Sequence, residues 1–143
     1  MNAIILTKLL IDFGLIVLIW MVQIIIYPSF LHYTSEKLSV WHPLYTRKIT
    51  SIVAPLMVAQ LGLSVYIMVT QQTYSLFEII DLLLIATNWL LTMLVFISLH
   101  EKIDLDSTDR DIQTKLVKYN WVRVILFCSI FIFNVIHICK YLN

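Results

Sequence analysis

A chain of 143 residues in which 60% are hydrophobic and 13% charged is long enough for one domain. A soluble fold of that size has no interior large enough for so much apolar surface, so a mean hydropathy of +0.88 points to lipid as the solvent. A formal net charge of +1, without a clustered basic surface, argues against a nucleic-acid partner.

The first apolar run covers about residues 4–27. It is too long for a cleavable signal, Asp12 interrupts it, and no small-residue cleavage pattern follows, so it is expected to remain as a membrane helix. Further runs cover about 48–70, 76–99 and 117–140. Each exceeds twenty residues, about 30 Å of helix, which matches a hydrocarbon core. The expectation is an all-α, integral membrane four-helix bundle, with residues 1–143 as one transmembrane domain.

In the first span Lys8, Asp12, Trp20, Gln23 and Tyr27 fall within an arc of about 120° at 100° per residue. A polar stripe along a span belongs inside the bundle. In the connection 28–47, Leu38, Trp41, Leu44 and Tyr45 are spaced for one helical face and, with Tyr33, read as an interfacial segment. Pro43 there limits that segment or starts the next helix.

The second span carries Ser51, Pro55, Ala59 and Gly62 on one stripe, expected to be a close-packing seam with a kink at Pro55. The short link 71–75, with its tip near Gln72, makes spans two and three an antiparallel hairpin. Ser75 and Glu78 have capping-box spacing. Thr108 to Asp111 is a weaker version, suggesting that helix four begins before the membrane and runs about 30 residues. Cys128 and Cys139 share a face about 16 Å apart along the axis, too far for a disulfide.

Lys37, Arg47, Lys48, Lys102, Arg110, Lys115 and Lys118 all fall in or beside the two long connections. The opposite side has only Lys8 and Lys140. The positive-inside rule then puts both long connections in the cytoplasm and both termini on the non-cytoplasmic side.

Polar groups fall at three depths. Asp12, Asp81 and His137 lie near the outer side, where charges snorkel outward or bind a proton, and Lys8 is one turn from Asp12. Gln60 and Asn88 lie mid-membrane and are expected to pair as amides. On the cytoplasmic side Gln23, Tyr27, His42, Tyr45, His100, Asn120 and Arg123 converge from all four helices. A guanidinium at the depth of Arg123 needs a partner, and Glu101 is the nearest carboxylate in depth. Such a cluster suits a network that fixes helix register. A pocket for an anionic or quinone-like molecule is the second option. A haem or metal between His42 and His100 is a third option, which no His-x-x-x-His or Cys-x-x-Cys pair supports.

Trp20-x-x-Gln23, Tyr27-Pro28-x-Phe30, His42-x-x-Tyr45, Pro55-Leu-Met57, Asn88-Trp89, His100 and Asn120-Trp121-x-Arg123 resemble, across nearly the whole chain, a group of small bacterial four-helix membrane proteins of unknown function. More distantly the layout is similar to the anthrone-oxygenase-like membrane family. The resemblance implies a shared bundle and marks the cytoplasmic cluster as the common site. It implies no activity, and no oxygenase residues match one by one.

The functional expectation is a bundle pocket for a hydrophobic or amphiphilic ligand, lipid-like or quinone-like. Its polar contacts would be Gln23, Tyr27, His42, His100, Asn120 and Arg123. No cofactor is named by the sequence, and catalysis stays open, since His42 or His100 could move protons near neutral pH. The competing expectation is an accessory subunit in a homo-oligomer or larger membrane complex. A proton-coupled small transporter using Asp12 is the third, and a chain with two glycines departs from glycine-rich exporter packing.

Overall fold

A computed structural model describes residues 3–71 and 75–142. Four helices fill them: α1 Ala3–Phe30, α2 Ser35–Gln71, α3 Leu76–Leu105 and α4 Arg110–Leu142. All four are long and apolar enough to cross a membrane. They pack in a ring, each against the next in sequence and α4 back against α1, so the chain runs up, down, up and down. The hairpin tip near Gln72 and the side chain of Lys140 lie outside the described residues.

The outward faces are apolar. Leu10, Phe13, Val17, Ile24, Leu83, Leu90, Leu94, Ile125 and Ile132 are all exposed, on helices long and apolar enough to cross a membrane. The interior is layered instead. Next to the chain termini lies a polar layer of Lys8, Asp12, Gln60, Ser64, Asp81 and Asn134, all buried. An apolar layer of Leu15, Ile19, Met57, Val124 and Phe127 follows. Beyond it come a second set of polar groups and an aromatic-rich cluster around Tyr27, Phe30, Leu38, Tyr45 and Phe96.

Two elements differ from the sequence expectation. The segment around Leu38 is not a separate interfacial helix, for α2 runs unbroken from Ser35 through Pro43 and Pro55. Pro43 neither ends nor starts a helix. It costs one backbone bond, while Leu38, His42 and Tyr45 turn inward and become buried, and Trp41 and Leu44 stay exposed. Burial of that face outweighs the local penalty. Likewise 100–105 is helical, so the long connections shrink to 31–34 and 106–109.

The small-residue stripe of α2 does not make the seam. Ser51, Pro55 and Gly62 are exposed, and a Cβ at Gly62 would meet nothing within 4 Å. The packing face is the neighbouring one, with Met57, Gln60 and Ser64.

Helix ends are held by specific side chains. The Ser75 hydroxyl donates to the Glu78 carboxylate, so the expected pair meets, although without the backbone bonds of a capping box. At α4 the cap is Asp109, one residue later than expected. Its carboxylate accepts from the backbone N–H of Asp111 at 2.9 Å and Ile112 at 3.2 Å. Thr108 is turned back to Asp106, whose carboxyl is held below the usual carboxylate range by the Thr108 hydroxyl and N–H. As anticipated, α4 is long, with 33 residues.

Arg110 ties this end of the bundle together. Its guanidinium donates to the carbonyls of Phe30 (3.3 Å), Leu31 (2.9 Å) and Tyr33 (2.9 Å) and to Gln113 (3.0 Å). Those carbonyls are the ones left over where α1 ends, where a cation is favoured. Gln113 in turn donates to the Ser107 carbonyl, and Ser107 to that of Ser35.

Candidate functional site

Two of the helices contain a single wide, π-helical turn, at Val22–Ile26 in α1 and Thr92–Phe96 in α3. Such turns insert one residue without ending the helix and recur at functional sites. Here they flank a cavity of about 320 Å³. In α1 the wide turn keeps both Gln23 and Tyr27 inside after Lys8 and Asp12, so four residues of the five-residue stripe are buried and Trp20 alone is not.

The cavity wall is mostly apolar, with Leu15, Ile19, Met57, Trp89, Phe96 and Phe127 among its residues. Its polar wall is small: Tyr27, Tyr45, Thr50, Thr92, His100 and Arg123. An apolar chamber with a few convergent polar groups is the usual form of a small-molecule site.

Arg123 is buried at 6% exposure and faces rings rather than a carboxylate. Its guanidinium carbon lies 4.7 Å from the ring centre of Phe96 and 5.9 Å from that of Phe127. Tyr27 and Tyr45 stand beside it. Among the described residues no carboxylate comes within ion-pair distance of it, and its Nε has no hydrogen-bond partner. Glu101, the partner expected from depth, is exposed on the outside of α3. It lies on the wrong face of α3 to meet Arg123.

Behind the cavity runs a chain of hydrogen bonds. The Tyr27 hydroxyl lies 3.0 Å from His100 Nε2. His100 Nδ1 lies 2.9 Å from His42 Nε2, and His42 Nδ1 lies 2.6 Å from the Asp104 carboxylate. Phe30 stacks edge-on against His42 at 5.1 Å and against Tyr45 at 5.3 Å, which fixes both rings. The direct bond between the two histidines leaves no room for a metal ion between them.

Of the six expected contact residues, Tyr27, His100 and Arg123 line the cavity. His42 sits one hydrogen bond behind it. Gln23 and Asn120 do not line it. Asn120 donates to the Gln23 carbonyl oxygen at 3.0 Å, and Gln23 donates to the Val117 backbone at 3.2 Å. That pair fastens α1 to α4 and belongs to the register-fixing network. Sequence reasoning missed Asp104, which it left in a loop. The available signal was its position four residues after His100, one turn along the same face.

The opposite polar layer is more tightly joined than expected. Lys8 Nζ bridges Asp12 at 3.0 Å and Asp81 at 3.3 Å. Gln60 donates to Asp12 at 2.7 Å, while Ser64 and Asn134 donate to Asp81 at 2.9 Å and 2.7 Å. These charges do not snorkel outward; all four helices wrap them. Gln60 is thereby taken from Asn88, and the expected amide pair does not form. Both amide atoms of Asn88, buried at 1% exposure, lack a partner. Compared with known proteins, the chain matches no family model, no curated sequence and no solved structure.

Proposed function

We propose that this chain is an integral membrane protein whose bundle binds a hydrophobic or amphiphilic molecule, with an acidic or carbonyl-bearing head, lipid-like or quinone-like. The observation that carries the reading is Arg123, a buried guanidinium on the wall of an otherwise apolar cavity without a carboxylate to answer its charge. A buried cation is tolerated only when paired, and a ligand head is the available partner. The apolar wall takes the tail, and His100 and Tyr27 flank the head. This reading retains the shared site implied by the resemblance to the small bacterial four-helix proteins and assigns no reaction.

The seven basic residues at the 31–34 and 106–109 end support placing that end in the cytoplasm of a bacterial cell, with the termini across the inner membrane. A cysteine introduced at Thr108, in a chain whose Cys128 and Cys139 are replaced by serine, is expected to react with a membrane-impermeant maleimide only after the cells are opened. Labelling on intact cells would invert the orientation.

The binding itself is tested by comparing wild type with Arg123→Ala after purification in mild detergent. The absorption spectrum and the mass spectrum of an organic extract should show a small molecule carried by wild type. It should be lost from a variant that still inserts and elutes as one species. Equal carriage by the variant would remove Arg123 from the site.

A further inference from the structure

The hydrogen-bonded chain behind the cavity has a direction. An ionised carboxylate can only accept, and a neutral imidazole has one donor and one acceptor nitrogen. With Asp104 ionised, His42 Nδ1 carries a proton toward it, so His42 Nε2 accepts. His100 Nδ1 then donates to His42, and His100 Nε2 accepts from the Tyr27 hydroxyl. Every bond is satisfied by one proton, and every proton points from the cavity toward Asp104. Tyr27 and His100 are on the cavity wall, whereas the Asp104 side chain is 35% exposed. Buried polar side chains thus connect an apolar chamber to the aqueous edge of the bundle at one hydrogen bond per step.

Arg123 supplies the complementary half. A head group that balances its charge must be an anion, yet an ion does not readily enter from hydrocarbon. A lipophilic weak acid enters neutral and becomes the required anion by losing one proton. We propose that the cavity takes up a lipophilic weak acid in its neutral form, and that Tyr27, His100, His42 and Asp104 relay the released proton to water. This inference rests on the ligand-binding reading above.

The step balances without another reactant. The acid O–H bond breaks and its proton passes to the Tyr27 oxygen as the Tyr27 proton passes to His100 Nε2. His100 Nδ1–H is transferred to His42 Nε2, and His42 Nδ1–H to Asp104, which yields a proton to water. The electron pair stays on the acid as the anion facing Arg123. The ionisable groups around the relay come from every helix packed on it: Tyr27 from α1, His42 and Tyr45 from α2, His100 and Asp104 from α3, and Arg123 from α4. Arg123 stays cationic throughout.

The test mixes detergent-solubilised full-length protein with dodecanoic acid in unbuffered, weakly acidic solution, where micellar burial keeps the acid neutral. A soluble pH indicator and binding are followed together by stopped flow, with dodecanol as the non-ionisable control of equal length. Wild type should release one proton for each acid bound, in step with binding, and dodecanol should release none. Asp104→Asn should bind the acid with unchanged affinity and release its proton on the order of a hundredfold more slowly, the scale of positioned proton transfer, and His42→Gln should slow release by the same order. Asp104→Glu should restore the rate. Asp104 is at the aqueous edge, so its variants report even where a change at buried His42 unfolds the chain. Acid binding without proton release, or release as fast in Asp104→Asn as in wild type, overturns the relay alone. Failure of wild type to bind the acid at all overturns the weak-acid proposal, whereas the binding reading itself stands or falls on whether a small molecule co-purifies with wild type and is lost from Arg123→Ala.

Discussion

Single polar residues carry most of the information here because each is expensive where it stands. Lys8 is the clearest case for stability, with one ammonium between two carboxylates inside four helices. Breaking such a buried pair leaves an uncompensated charge, which costs about 3–5 kcal/mol. Lys8→Met is expected to lower stability by that order, read as a loss of thermal midpoint in detergent. Asp81→Asn should cost less, because it leaves Lys8 and Asp12 as a one-to-one pair. A smaller loss in Lys8→Met than in Asp81→Asn would contradict this balance of charge. The polar stripe of α1 was legible in the sequence as inward-facing, whereas Asp81 read as a charge that snorkels outward or binds a proton. Apart from Lys8 and Asp12, one turn apart on α1 and paired as that spacing suggested, the partners of these buried groups were not legible. Gln60 faces Asp12 rather than Asn88, and Arg123 faces Phe96 rather than Glu101. Depth along an axis can be counted from spacing, but rotation about it cannot be.

At the scale of elements, rotation is set by features that local periodicity hides. The wide turns at Val22–Ile26 and Thr92–Phe96 shift the phase of the inward face partway down α1 and α3. Neither contains glycine or proline, so no residue type marks them. The spans themselves were visible from their apolar lengths, as was the early start of α4. The extension of α2 back to Ser35 was not, because Pro43 is a strong local signal for an end and tertiary burial of Leu38 and His42 overrides it. The same end of the bundle depends on Arg110, which the sequence showed only as a loop charge. Three of its four hydrogen bonds satisfy backbone carbonyls at the end of α1, and the fourth goes to the Gln113 side chain. Arg110→Ala is expected to cost about 1.5–3 kcal/mol, the range for a hydrogen-bonded charged group. Faster backbone amide exchange should follow around residues 27–35, with α4 beyond its first turn unaffected. Unchanged exchange there would show that the 31–34 turn holds without the clamp.

For the whole molecule, the arrangement is two polar layers inside an apolar exterior. The layer near the termini is closed: the carboxylates of Asp12 and Asp81 are met by Lys8 and by side-chain donors from α2 and α4. The layer at the basic end is open, with a cavity on one side and the partly exposed Asp104 carboxylate on the other. A molecule built for packing alone gains nothing from setting a buried guanidinium, with no carboxylate beside it among the described residues, on a cavity of about 320 Å³. Occupancy of that space is therefore the central claim. It is read most directly by native mass spectrometry of the protein released from mild detergent. Wild type should carry one bound small molecule per chain, while Arg123→Ala, and Thr92→Trp designed to fill the cavity, should fly without it. A bare wild-type chain, or an adduct that persists in both variants, would contradict the account.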